Sequence, residues 1–160
     1  MKQFHLKLFV FGRYIMATIM RKINVISRCE SMYRSERSSE KLPGIYHSYV
    51  FAICKNSGIT QDALGKYLCK NKSSVTRHLN FLEERGYIER KNSKSDKREQ
   101  LDKPTEKMMD ILSEVTDITM EWNELIAEDV SEKELEIFHS VLDKMYSKSR
   151  LAVFGEESEL

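Results

Sequence analysis

The chain has 160 residues, 41% hydrophobic and 32% charged, with a formal net charge of +1. That is enough for one soluble domain with a real core, or one domain plus an oligomerisation extension. Six Gly and two Pro argue against a β-rich fold and against the clustered glycine loop of a phosphate-cradling enzyme, and favour long helices with short punctuation.

The near-zero total hides a gradient. Residues 66–98 carry ten Lys/Arg against four Asp/Glu, whereas residues 105–160 carry five against fifteen. A basic middle and an acidic tail are expected when one part faces phosphates and the other does not. At the N-terminus the first fully apolar run, Leu8 to Phe11, is four residues long and Arg13 follows it closely. A membrane span needs about 18 apolar residues, and no small-residue cleavage pattern follows, so an amphipathic helix is expected here, not a leader. Cys29, Cys54 and Cys69 are odd in number and lack a C-x-x-C spacing. They are read as reduced thiols in a cytoplasm, not as a disulfide framework or a zinc knuckle.

In chain order, Leu8, Phe11, Ile15, Ile19, Ile23 and Ile26 recur at helical spacing and predict a helix from about His5 to Arg37. The polar run from Ser35 to Lys41 and Pro43-Gly44 end it. A second helix spans roughly Ile45 to Lys55, with Tyr46, Tyr49, Val50 and Ile53 on one side, and Gly58 closes it. Thr60 caps a short third helix, Gln61 to Leu68, with Ala63, Leu64, Tyr67 and Leu68 inward. A fourth helix starts near Lys72 and stops at Gly86. Its inner stripe is Val75, Leu79 and Leu82; Ser73, Arg77 and Asn80 stand opposite, with Thr76 beside them. Two helices joined by a tight turn, the second small and polar on its outer face, make a helix-turn-helix.

The period then changes. Residues 87–90 predict a short strand, residues 91–98 a polar basic turn, and residues 99–101 a return strand ending before Pro104: a basic hairpin, or wing. Thr105 caps a long helix with Met108, Leu112, Val115, Ile118, Trp122 and Leu125 as its stripe. Ser131 opens the last helix with a capping box to Glu134, and Leu135, Phe138, Val141 or Leu142, and Met145 form its stripe. The expected fold is therefore mainly α with a small β wing.

Residues 58–107 resemble the MarR family. Ser73-Ser74-Val75-Thr76-Arg77-His78-Leu79 is similar to its recognition helix, and Leu82-Glu83-Glu84-Arg85-Gly86-Tyr87-Ile88 to the exit into its wing. Asp96-Lys97-Arg98 stands where the family keeps Asp-x-Arg, and Thr105-Glu106-Lys107 where it keeps Thr-Glu-Lys. The sequence departs from the pattern at Pro104, where Leu is usual, and at Met108, often Gly. The resemblance implies a winged helix-turn-helix at 43–104, flanked by dimerisation helices at 1–42 and 105–160. It also implies a homodimer, a double-stranded DNA operator of pseudo-palindromic form, and repression relieved by a small hydrophobic or phenolic effector.

On the fourth helix, Ser73, Ser74, Thr76, Arg77 and Asn80 are the candidate base and phosphate contacts. Arg pairs bidentately with guanine, and hydroxyls serve base edges or phosphates. In the wing, Lys91, Lys94 and Lys97 suit phosphates. The resemblance assigns Arg98 to the minor groove, where a narrow groove focuses negative potential, and gives Asp96 an orienting role. Met16, Met20, Tyr46, Tyr49 and Phe51 are read as core, which leaves the effector-binding residues open. Cys29 is read as an idle thiol, and the four His share no metal-binding spacing. No cofactor is expected. The alternative to a DNA-binding regulator is a winged-helix module that meets protein through the same surface. No Walker, Rossmann, nucleophile-elbow or H-E-x-x-H pattern suggests an enzyme.

Overall fold

Helix starts are decided by side chains that satisfy otherwise free amides. Thr60 Oγ1 accepts from Ala63 N at 3.2 Å, Asn71 Oδ1 from Ser74 N at 2.9 Å and Thr105 Oγ1 from Met108 N at 3.4 Å. Ser131 and Glu134 form the expected capping box, with Glu134 Oε2 accepting from Ser131 N at 3.0 Å. The computed structural model describes residues 2–39, 42–92 and 100–155, with residues 2–16 described by backbone only.

The elements are α1 (Lys2–Arg37), a 3-10 turn (Gly44–Tyr46), α2 (His47–Lys55), β1 (Ile59–Thr60), α3 (Gln61–Tyr67), α4 (Lys72–Glu84), β2 (Ile88–Asn92), β3 (Gln100–Pro104), α5 (Glu106–Ala127) and α6 (Glu132–Phe154). The chain divides into two compact units, Met1–His47 and Ser48–Leu160.

In the first unit the 3-10 turn folds back on the end of α1. A Cβ on Gly44 would stand 2.8 Å from the Arg34 carbonyl carbon and from Ser35 N, so only glycine fits. His47 Nε2 lies 2.9 Å from Ser38 Oγ, which itself bonds the Arg34 carbonyl. Met20, expected in the core, is 45% exposed, and Ile26 is exposed too. Among the other residues read as core, Tyr46 and Tyr49 are buried and Phe51 is half-buried; the Met16 side chain lies outside the described residues.

In the second unit α3 and α4 form the helix-turn-helix, and the antiparallel sheet has the order β1-β3-β2. Leu64, Val75, Leu79, Leu82, Tyr87, Ile88, Met108, Val115 and Trp122 are buried, as are Tyr49, Val50 and Ile53 of α2. The inner stripe of α4 is thus the one its spacing predicts. On α3 only Leu64 is buried, and Ala63 is exposed. On α5 Ile111 is buried and Leu112 is half-buried, while Leu125 is exposed because the last turns of α5 run beyond the core. No residue of α6 is buried.

Both helices of the motif end in a left-handed residue. Tyr87 N donates to Leu82 O at 2.8 Å across Gly86, whose φ is 72°, and Lys70 N donates to Gly65 O at 2.9 Å across Cys69, whose φ is 51°. This is the Schellman closure. Cysteine occupies a position where a Cβ carries a steric cost.

The return strand runs through Pro104, three residues beyond the predicted span. Pro104 pairs with Ile88 at the end of the ladder, where a missing N–H is tolerated. The join to α5 is firm despite Pro104 and Met108. Thr105 Oγ1 donates to the carbonyl oxygens of Gly86 and Tyr87, at 2.8 and 2.9 Å. Lys107 Nζ reaches Arg85 O at 2.6 Å and lies 4.4 Å from the centre of the Tyr87 ring. Thr105 and Lys107 therefore lock the exit of α4 to the start of α5, and Met108 is fully buried behind them.

Candidate nucleic-acid interface

The outer face of α4 follows directly from its inner one. With Val75, Leu79 and Leu82 buried, residues half a turn away must face outward. Ser73, Arg77 and Asn80 are exposed, and Ser74 and Thr76 are half-buried. Ser73, Thr76, Arg77, Asn80, Phe81 and Glu84 line one open concavity of about 630 Å³. The expected row is therefore a single surface, bordered by an aromatic ring and a carboxylate. Arg85 stacks over Phe81 with its guanidinium carbon 4.4 Å from the ring centre.

Thr76 also braces the motif from within. Its hydroxyl donates to Lys72 O at 2.9 Å and accepts from Gln61 Nε2 at 2.8 Å, tying α3 to α4. His78 is buried on the inner flank of α4, with Nδ1 2.8 Å from Tyr49 Oη and the two rings edge to face. Burial, then the nearby charges of Arg77 and Lys70, hold its imidazole below the usual value. This suits a neutral structural histidine.

On β2, Lys91 Nζ pairs with Glu89 at 2.8 Å on an exposed face, and Lys91 keeps the Glu89 carboxyl below its ordinary range. Both are well solvated, so exchanging this partner for a phosphate costs little. Lys94, Asp96, Lys97 and Arg98 lie outside the described residues.

A cluster that the sequence reading missed stands behind α4. The ladder puts Arg90 opposite Asp102. Arg90 Nε lies 3.2 Å from Asp102 Oδ1, and Arg90 Nη1 lies 3.2 Å from Glu83 Oε2 and 2.9 Å from Asn80 Oδ1. The Asp102 side chain is 2% exposed and that of Arg90 12%. Desolvation raises the Asp102 pKa to about 6, against the opposing charge and hydrogen bond of Arg90. The available signal was the single acid of β3, but only the strand register pairs it with Arg90.

The model of the MarR family matches residues 47–100, from the start of α2 to the first residue of β3. Residues 47–100 match the MarR family and fold as a winged helix. Solved structures of MarR-type proteins superpose well beyond that segment. A MarR protein from Peptoclostridium difficile aligns with TM-score 0.79 and 24% identity over 86% of this chain and 90% of its own. A putative MarR family transcriptional regulator from Listeria monocytogenes, complexed with a 26mer DNA, aligns with TM-score 0.76 and 26% identity over 88% and 97%. A mutant MarR from E. coli, complexed with operator DNA, gives 0.73 and 20% over 81% and 94%. No curated protein matches the chain by sequence.

Among the described residues, no group of three or more His, Cys, Asp or Glu is placed to hold a metal ion. Nor is any helix among them long and apolar enough to cross a membrane.

Proposed function

We propose that this chain is a cytoplasmic, homodimeric transcriptional repressor that binds a pseudo-palindromic DNA operator and releases it on binding a small hydrophobic or phenolic effector. The observation that carries the DNA reading is the open polar face of α4 with Arg77 at its middle, followed at once by a basic strand. The likeness to the Listeria and E. coli proteins, both solved with DNA, supports the DNA reading. Arg77 and Ser73 face base edges in the major groove, Ser74 and Thr76 serve the α4 start and its phosphates, and Lys91, Lys94 and Lys97 follow the backbone. Arg98, oriented by Asp96, enters the minor groove. Repression and the effector rest on the family resemblance.

The dimer is supported by uncovered apolar surface. Ile137, Phe138, Val141, Leu151 and Val153 are exposed on α6, and Leu125 and Ile126 on α5. Contiguous apolar patches beyond a few hundred Å² are rare on monomers, and a two-fold partner covers the same patch on both copies. The parts proposed are an N-terminal dimerisation helix at 1–42, the winged helix at 43–104 and dimerisation helices at 105–160. Such a dimer presents two α4 helices to successive major grooves, about 34–36 Å apart.

The test is a mobility shift with DNA from around the protein's own gene, followed by footprinting. Binding that survives excess nonspecific competitor, with a two-fold symmetric footprint, is the expected result. A shift that competitor abolishes at equal mass would overturn sequence-specific binding.

A further inference from the structure

We infer that Asn80 reads guanine and discriminates against adenine, because Arg90 has already taken its carbonyl oxygen. This rests on the proposed DNA-binding role of α4.

A carboxamide reads adenine by using both ends at once. Its oxygen accepts from N6 while its amino group donates to N7. In this structure the two ends of Asn80 are not equivalent. Arg90 Nη1 stands 2.9 Å from Asn80 Oδ1. A guanidinium has five N–H donors and no acceptor, so the carboxamide can meet it only through oxygen. The chemistry of the partner decides which way the group is turned.

Arg90 is not free to withdraw. Its Nε is held 3.2 Å from Asp102 Oδ1 and its Nη1 3.2 Å from Glu83 Oε2, with only 12% of the side chain exposed. Opposite charges on two sides hold this mostly buried guanidinium in place. Asp102 comes from the neighbouring strand and Glu83 from α4 itself, three residues after Asn80. The guanidinium is thus clamped between sheet and helix, and it fixes the Asn80 oxygen toward β2.

What remains for the groove is the Nδ2 amino group, which only donates. Asn80 is exposed and lines the same concavity as Ser73 and Arg77, so that amino group has access to a base edge. Guanine offers two adjacent acceptors, N7 and O6. Adenine offers N7 beside an amino group that would face Nδ2 donor against donor. Asp102 and Glu83 are therefore positioning residues for base choice, acting through Arg90 without touching DNA.

The experiment selects duplexes from a randomised pool with the full-length protein and with three variants, then measures single-base affinities on the selected site. The wild type is expected to enrich guanine at one position per half-site. Asn80→Ala should flatten that position by roughly tenfold in discrimination, leaving the others unchanged. Asn80→Asp, which turns the outward group into an acceptor, should move the preference to cytosine or adenine. Arg90→Gln removes the clamp and should let adenine in at the same position, with folding checked by circular dichroism. If that variant fails to fold, the two surface variants still decide. A wild-type preference for adenine at the position that Asn80→Ala flattens would overturn the proposal, as would no positional change in Asn80→Ala. A wild type that enriches no sequence at all would instead overturn the DNA reading itself.

Discussion

Arg150 Nη1 donates to the carbonyl oxygen of Lys66 at 2.5 Å, and the same nitrogen lies 3.4 Å from the Cys69 sulfur. A residue near the end of α6 thus closes the C-terminal end of α3, where carbonyl groups lack helical partners and the helix dipole favours a cation. Its guanidinium also stacks on Phe154 at 4.4 Å. Arg150→Ala should lower stability by about 1 kcal/mol, read as a fall in Tm of about 2–4 °C for a chain of this size. DNA affinity should fall with it, because the turn between α3 and α4 loses its brace. An unchanged Tm would show that the contact contributes nothing.

Cys69 and Gly86 occupy the same left-handed position at the ends of α3 and α4, and they should respond in opposite directions. Gly86→Ala meets no neighbouring atom within 4 Å, so its cost is purely conformational, about 1 kcal/mol destabilising. Cys69→Gly relieves the corresponding strain and should raise Tm slightly, less the lost contact between Arg150 and sulfur. Thermal denaturation of both variants beside the wild type checks this. A destabilised Cys69→Gly would mean that the thiol contributes more than its backbone conformation costs.

Asp102 makes stability depend on pH in an unusual direction. Its pKa in the fold, about 6, lies above the ordinary value of 3.8. The folded state therefore binds more protons than the unfolded state between those values. The contribution of this group to stability is greatest below about pH 4, declines as pH rises through 6, and is level above that. The difference in unfolding free energy between wild type and Asp102→Asn, followed by denaturant titration from pH 4 to 8, should carry this slope. A flat difference would mean that the carboxyl titrates normally.

Arg77 and Lys94 should separate specificity from affinity. Arg77→Ala is expected to relax base preference by about 1–3 kcal/mol at one position. Lys94→Ala should weaken all sequences equally and reduce the salt slope by about one unit. Binding isotherms on operator and random DNA at several salt concentrations distinguish the two. Equal losses on both DNAs for both variants would remove Arg77 from the base-reading role.

Phe138, 55% exposed on α6, should matter to assembly and not to the fold of the winged helix. Phe138→Glu places a charge in the proposed dimer seam, whose core ought to exclude one. Light scattering should shift from dimer to monomer while the helical circular dichroism signal persists. If the wild type is already monodisperse as a monomer, the dimer is excluded.

The order of the six helices and the wing hairpin, and the inner face of α4, were legible in the sequence. Those features are local. A cap needs only Thr60, Asn71, Thr105 or Ser131 beside the amides it satisfies, and a helix face is set by a period of 3.6 residues, so neighbours along the chain suffice. Tertiary structure decided what no local period encodes. The two-residue β1 is too short to show a pattern, and it exists because Gly58 and Ile59 meet Asp102. Thr76, exposed by its position on α4, is drawn into the contact with Gln61. The exposure of Met20 depends on which surfaces the fold leaves uncovered. Above all, the pairing of Arg90 with Asp102, and with it the direction in which Asn80 points, follows from strand register. A slip of one residue would send Asp102 to the opposite face of the sheet, and nothing in the spacing between the two strands states which register the hairpin takes.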